Sequence, residues 1–487
     1  MGGVASGDIT ADSAIIWCAT DRGARMHVEW DTSDSFKSAT RAVGPDAVSR
    51  TGFTAKLDLK RLPPNTRIFY RVSFENLDEF SMSQPCIGSF KTAPAASAEP
   101  RDICFAWSGD TAGQGWGIDP ARGGMRIYKA IADLRPDFFI HSGDTIYADI
   151  PIKPQIQLSG GQVWRNIVTP AKSKPAQTLE DFRGNQAYNL LDDNVRYFNS
   201  CVPMIAQWDD HETHNNWCPG QQVDDPAYFE KDYDVLSARA RQAFLEYMPM
   251  RISREDPSRI YRSYNHGPLL DVFMLDERSY RGVNSPNRQT TLDHASDFLG
   301  PPQLQWLKTA LKNSTALWKV IASDMPISAI SKDPIPKDAP KDRPVTYEAF
   351  ASGDPGAPLG RELELANLLS FIKSNQIRNT VWITADVHFA ANIHYHPDRA
   401  AFKEFDPFWE FISGPLHAGG FGPNPLDKTF GPEYRWKQTP KKSGDGPGHD
   451  YGLYGVIRID AKSKALSVSQ HDINGALLTT QSVEPML

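Results

Sequence analysis

At about 150 residues per domain, the chain's 487 residues suffice for two or three domains and a sizeable core. With 40% hydrophobic and 23% charged residues it is neither a disordered nor a collagen-like sequence, and no apolar run approaches the ~18 residues that a membrane-spanning helix needs. The balance of 52 basic against 59 acidic residues, a net charge of −7, argues against nucleic acid or an anionic membrane surface as a specific partner.

Cys18, Cys86, Cys104, Cys201 and Cys218 show no CxxC spacing, which speaks against a zinc cluster or a dense disulfide scaffold. The opening residues carry no basic segment followed by an apolar one; Met1 to Gly3 read as a cloning remnant and any export signal as trimmed. From Val4 to about Phe90, short β-type runs such as Ser13 to Trp17, Met26 to Trp30 and Phe69 to Val72 alternate with turn residues and predict a small β-sandwich. Within it, Leu62-Pro-Pro-Asn-Thr-Arg-Ile-Phe-Tyr70 resembles the corner of fibronectin type III-like domains, with Ile68 in place of the first aromatic. Lys91 to Pro100 is small, Pro-rich and polar, a linker by composition, so residues 1–95 are expected to form an N-terminal β-sandwich and 96–487 a second domain.

After the linker, strands alternate with helical patterns, the grammar of a layered α/β domain. Apolar runs at Ile103 to Trp107, Phe138 to His141, Val202 to Ala206, Asp271 to Leu275, Lys319 to Ala322 and Thr380 to Thr384 read as buried strands. Helical spacing appears at 126–134 and near 179–198, 230–248, 303–313 and 361–374. Segments near 150–177, 333–359 and 414–448, rich in Pro, Gly and Lys, predict long loops around a site.

Strand after strand ends in a carboxylate: Ser108-Gly-Asp110, Ser142-Gly-Asp144, Trp208-Asp-Asp-His-Glu212, Ser323-Asp324 and Ala385-Asp-Val-His388. Ligands of open α/β sheets bind outside the carboxyl ends of the strands, so these side chains are expected to converge on one crevice. Several carboxylates within a few ångströms do not all stay ionised without a cation between them, so convergence implies a metal. Tyr147 lies within reach as a phenolate, and Asp209-Asp210-His211-Glu212 sets a hard oxygen ligand beside an imidazole able to protonate a leaving group.

This order of motifs resembles the calcineurin-like metallophosphoesterases, and Trp208 to Asn216 together with Leu275-Asp-Glu-Arg-Ser-Tyr-Arg281 is most similar to the alkaline phosphatase D (PhoD) branch. The resemblance spans nearly the whole chain, including Val4-Ala-Ser-Gly-Asp8. It implies an α/β/β/α metallophosphoesterase sandwich preceded by an all-β domain, and export by the twin-arginine route to the periplasm or medium. It further implies one metal on Asp110, Asp144, Tyr147 and His388, and a second, bridged by Asp144, on Asp210 and Asp386; Asp324 stands where some relatives place a further ligand. Tyrosinate, carboxylates and one imidazole suit Fe(III), whereas the second set suits Ca²⁺, Mn²⁺ or Mg²⁺ better than Zn²⁺. Ser108-Gly-Asp110-Thr-Ala-Gly-Gln114 departs from the branch, which often has a Cys there, and looks more like the purple acid phosphatases.

The activity implied is two-metal hydrolysis of phosphomonoesters, diesters or both, of small or polymeric substrates, by a monomer. His211 is expected to be the general acid, Glu212 to orient it, and Arg262 and Arg278, with Arg281, to clamp the phosphate. Two other readings remain at this point: a dedicated phosphodiesterase or phospholipase D-like hydrolase, and a calcium-binding surface protein without catalysis.

Overall fold

A computed structural model describes residues 2–334, 340 and 342–486. Two large sheets are stacked face to face. The first contains nine strands, of which Ile103–Ser108, Phe138–Ser142 and Met204–Gln207 run parallel at its centre. The second contains seven, with Leu270–Met274, Trp318–Ala322, Thr380–Thr384 and Phe408–Ile412 parallel to one another.

Strand alternation sorts the side chains into layers. Phe105, Trp107, Phe138 and Ile140 of the first sheet share one core with Val272, Met274, Val320, Val381 and Ile383 of the second. Residues of opposite parity face the helices: Ala106 and Phe139 pack with the helices Arg126–Asp133, Leu179–Asn189, Asp193–Cys201 and Tyr233–Tyr247. Phe273, Ile321 and Trp382 pack with Gly300–Asn313 and Glu362–Ser374. The result is the four-layer α/β/β/α sandwich. The helical stretch read as continuous over 179–198 is two helices, because Asp192 accepts from the backbone N–H groups of Asn194 and Val195 and starts the second.

The N-terminal strands form two sheets, but these do not stand apart from the rest. Thr40–Ala47, Ala24–Asp31, Arg67–Asn76 and Cys86–Lys91 make a four-stranded sheet, while Val4–Gly7, Ser13–Ala19 and Thr54–Lys60 extend the nine-stranded sheet. The seam is the parallel contact of Gly7 with Met204. A Cβ on Gly7 would lie 2.3 Å from the Pro249 carbonyl oxygen and 2.4 Å from that of Met204, so only glycine fits. The linker is tied down as well: the Ala93 N–H donates to Thr10 O at 3.1 Å.

Candidate active site

The strand-end carboxylates converge where the two sheets meet. Asp110, Asp144, Asp386 and His388 all adopt left-handed backbone, with φ of 71°, 52°, 62° and 59°. Strain of that kind in non-glycine residues persists where the surroundings enforce it and clusters at functional sites. Here cross-loop hydrogen bonds do the enforcing: Thr111 N–H to Asp144 O at 2.8 Å, His417 N–H to Asp110 O at 2.9 Å and Ala385 N–H to Asp324 O at 3.0 Å. Glycines make the room. A Cβ on Gly414 would stand 2.4 Å from Asp110 Oδ2, and one on Gly113 would stand 2.4 Å from the Tyr147 ring.

Two groups of ligand atoms result, Asp110, Asp144 and His388 in one and Asp144, Asp210 and His211 in the other, so Asp144 is shared. Tyr147 Oη lies 2.8 Å from His388 Nε2, which is itself 3.4 Å from Asp110 Oδ1. His388 Nδ1 donates to the Gly419 carbonyl, which turns the Nε2 lone pair toward Asp110 and Tyr147. Both Asp110 oxygens and Asp210 Oδ1 are buried without a hydrogen-bond partner. Buried acceptors left bare in a nest of carboxylates are the donor set of a hard cation.

The electrostatics agree. Burial, reinforced by Asp210, Asp209, Glu212 and Asp110, pushes the Asp144 carboxyl well above the usual range. Burial, reinforced by Asp144, Asp110 and Asp210, pushes the Tyr147 phenol up. Asp386 is raised by burial and by Asp209, Glu348 and Asp210, so it belongs to the same negative field, although its oxygens join neither ligand group. Cations bound here reverse these shifts.

The His211 ring lies against Tyr147, with centroids 4.2 Å apart and planes tilted by 31°. Its Nδ1 lies 2.7 Å from Asp149 Oδ1, and Asp149 Oδ2 accepts the Asn215 N–H at 2.9 Å. Burial opposes the imidazolium, but Asp149, Asp210 and Asp209 outweigh it and raise His211 to about 10. Asp149, in the loop after Tyr147, is the orienting acid; sequence reasoning gave it no role, although an acid two residues beyond Tyr147 in the same loop was the available signal. Glu212 does not perform that function. Its carboxylate accepts from Thr145 N (2.6 Å), Thr145 Oγ1 (2.7 Å) and Asp209 N (2.8 Å), clamping the Asp144 and Asp210 turns together.

The arginines are not free to clamp a phosphate. Arg262 pairs with the buried Asp8, Nη2 to Oδ1 at 3.0 Å, and so belongs to the seam between the N-terminal strands and the rest. Arg251 donates from its backbone N–H to Asp8 Oδ2 at 2.6 Å, which gives the Val4 to Asp8 motif a structural task. Arg278 is fully buried against Asp209 and Glu348 (Nη2 to Oε1 2.7 Å), and Arg281 against Asn284 (2.9 Å). Asp324 faces Arg278 Nε at 3.8 Å, and its oxygens join neither ligand group.

The family described as PhoD-like phosphatase matches residues 105–469, and that of the PhoD-like phosphatase N-terminal domain matches residues 1–94. Alkaline phosphatase D of Bacillus subtilis (strain 168) is 28% identical over 464 residues, covering 90% of this chain and 72% of that protein. The solved structure of PhoD aligns with 100% of this chain and 92% of its own at a TM-score of 0.73 and 20% identity. Purple acid phosphatase PPD1 from yellow lupin (Lupinus luteus) seeds aligns with 99% of this chain and 73% of its own, with a TM-score of 0.58 and 13% identity, a likeness of fold. The chain belongs to the PhoD-like phosphatase family and is a metal-dependent phosphoric ester hydrolase.

Proposed function

We propose that the chain hydrolyses phosphoesters at two cation sites that share Asp144, with His211 as general acid. Asp110, Asp144, Tyr147 and His388 would hold the first cation, and their mix of phenolate, carboxylate and one imidazole suits Fe(III). Asp144, Asp210 and Asp386 would hold the second, an oxygen set suited to Ca²⁺, Mn²⁺ or Mg²⁺. When bound, such a pair supplies Lewis-acid neutralisation of the phosphoryl oxygens and an activated water.

The chain's own residues do the rest. Asp149 accepts a hydrogen bond from His211 Nδ1–H and leaves Nε2–H to protonate the departing oxygen. Glu212 fixes the separation of the Asp144 and Asp210 turns through Thr145 and Asp209. Arg278 offsets part of the surrounding negative charge without touching substrate.

One observation carries this reading: an imidazole locked by a buried acid stands in the same ligand group as the shared carboxylate Asp144. A structural calcium site has no use for that imidazole. The test is turnover of mono- and diester substrates before and after chelation. Loss on chelation and recovery on adding back metal support the proposal; turnover that survives removal of all metal contradicts it.

A second reading concerns the substrate. Arg262, Arg278 and Arg281 are engaged with protein partners, which favours the singly charged diester over a dianionic monoester. The resemblance to an exported branch supports a periplasmic or secreted location, and no helix among the described residues is long and apolar enough to cross a membrane. Residues 1–95 and 96–487 are read as the sandwich and catalytic domains, joined through the seam at Gly7.

A further inference from the structure

We propose that Cys18 and Cys86 form a disulfide site that joins the two sheets of the N-terminal sandwich, with a small-molecule or protein disulfide as the oxidant. Cys18 lies near the end of Ser13–Ala19, in the sheet continuous with the catalytic core, opposite Val4. Cys86 opens Cys86–Lys91 in the four-stranded sheet, opposite Val72. The strands Val4–Gly7 and Cys86–Lys91 pack against each other, so the two cysteines come from facing sheets. Their thiols hydrogen-bond to one another across that interface.

The packing holds them there. A Cβ on Gly88, two residues beyond Cys86, would lie 2.4 Å from the Tyr70 ring and 2.8 Å from the Ser200 carbonyl oxygen, so this strand sits directly on Tyr70 with no slack. On the other side, Cys18 Sγ lies 3.1 Å from Gly3 O in a fully buried position. The other cysteines are engaged elsewhere: Cys104 accepts from Arg458 at 2.9 Å, Cys201 donates to Tyr197 O at 3.3 Å and Cys218 to Asn284 Oδ1 at 3.3 Å.

The two thiols have distinct roles in exchange. The contact between the two thiols lowers the half-buried Cys86 against the opposing effect of burial and, with burial, raises Cys18. Cys86, half-buried where Cys18 is fully buried, is the thiol that an external disulfide reaches, and its lowered pKa favours it as the attacking group. It attacks one sulfur of the oxidant, breaks that S–S bond and expels one thiolate, giving a mixed disulfide at Cys86. Cys18 then releases its proton to solvent and attacks the Cys86 sulfur, expelling the second half of the oxidant. Two protein thiols are oxidised to one disulfide, and one external disulfide is reduced to two thiols.

The test uses the whole protein as purified. It is incubated with oxidised glutathione, denatured, alkylated with N-ethylmaleimide and peptide-mapped with and without reduction. The expected result is a Cys18 peptide joined to a Cys86 peptide, with both residues alkylated only after reduction. In C86S, Cys18 should stay alkylated throughout, and Cys104, Cys201 and Cys218 should behave as in the parent. Alkylation of both Cys18 and Cys86 in the oxidised parent, persistent glutathione on Cys86 beside alkylated Cys18, or a bridge from Cys86 to Cys201 would overturn the proposal.

Discussion

Asp149 Oδ1 stands 2.7 Å from His211 Nδ1, and the second oxygen of the same carboxylate holds the Asn215 backbone N–H at 2.9 Å. One buried acid thus fixes both the tautomer of the imidazole and the chain that follows it. The arrangement gives His211 a rigid orientation and a raised affinity for its proton.

The pH profile should report this pairing. A general acid works while protonated, so its contribution is complete below its pKa and is lost as pH rises through it. With His211 raised to about 10, the basic limb of kcat/KM lies in the alkaline range. Metal bound at Asp210 cancels that residue's share of the shift and leaves Asp149 as the main cause. Asp149→Asn should therefore move the basic limb toward the ordinary histidine value, near 6.5. An unmoved limb in a folded, metal-loaded variant would separate His211 from the acid role.

Leaving-group dependence tests the same residue independently. His211→Ala should lower kcat by about 10²- to 10⁴-fold for poor leaving groups and much less for nitrophenyl esters, which depart without protonation. Equal losses for both classes would mean that the imidazole does something other than donate a proton.

Two glycines should be as sensitive as the ligands they adjoin. Gly414→Ala puts a methyl group 2.4 Å from Asp110 Oδ2, and Gly113→Ala puts one 2.4 Å from the Tyr147 ring. Both variants should bind metal at the first site more weakly while the second site keeps its occupancy. If iron occupies the first site, the purified protein should show phenolate-to-iron charge-transfer colour that Tyr147→Phe removes. A colourless preparation with full metal content would exclude a tyrosinate–iron centre.

Asp8 and Arg262 should matter for stability and not for catalysis. Removing one partner of a buried ion pair leaves the other charge uncompensated, typically at a cost of about 3–5 kcal/mol. Asp8→Ala should lower stability to denaturant by that order, with kcat per folded molecule unchanged. A variant as stable as the parent but catalytically impaired would return Arg262 to the phosphate site.

The contrast between Arg262 and Asp110 shows what the amino-acid text makes legible. Asp110, Asp144 and Asp210 follow short, mostly apolar parallel strands of the first sheet and His388 follows one of the second, and parallel strands deliver their carboxyl ends to one edge of a sheet. That periodicity is local, so it can be read from a dozen residues. What an arginine pairs with is not local: Arg262 meets Asp8 across 254 positions of chain, and nothing near either residue announces the contact. Glu212 misleads for the opposite reason, because adjacency to His211 suggests contact although its carboxylate is spent on Thr145 and Asp209. The seam at Gly7 was likewise hidden, since a single parallel contact with Met204 merges two sheets whose sequences read as separate units.

If Asp144 serves both cation sites, metal analysis of Asp144→Ala beside the parent shows it. The parent should carry metal at both sites and lose turnover on chelation, while the variant should lose metal from both and be inactive, whereas Asp386→Ala should lose only the second. A folded Asp144→Ala protein that keeps one site fully loaded would contradict the shared carboxylate and with it the two-cation account.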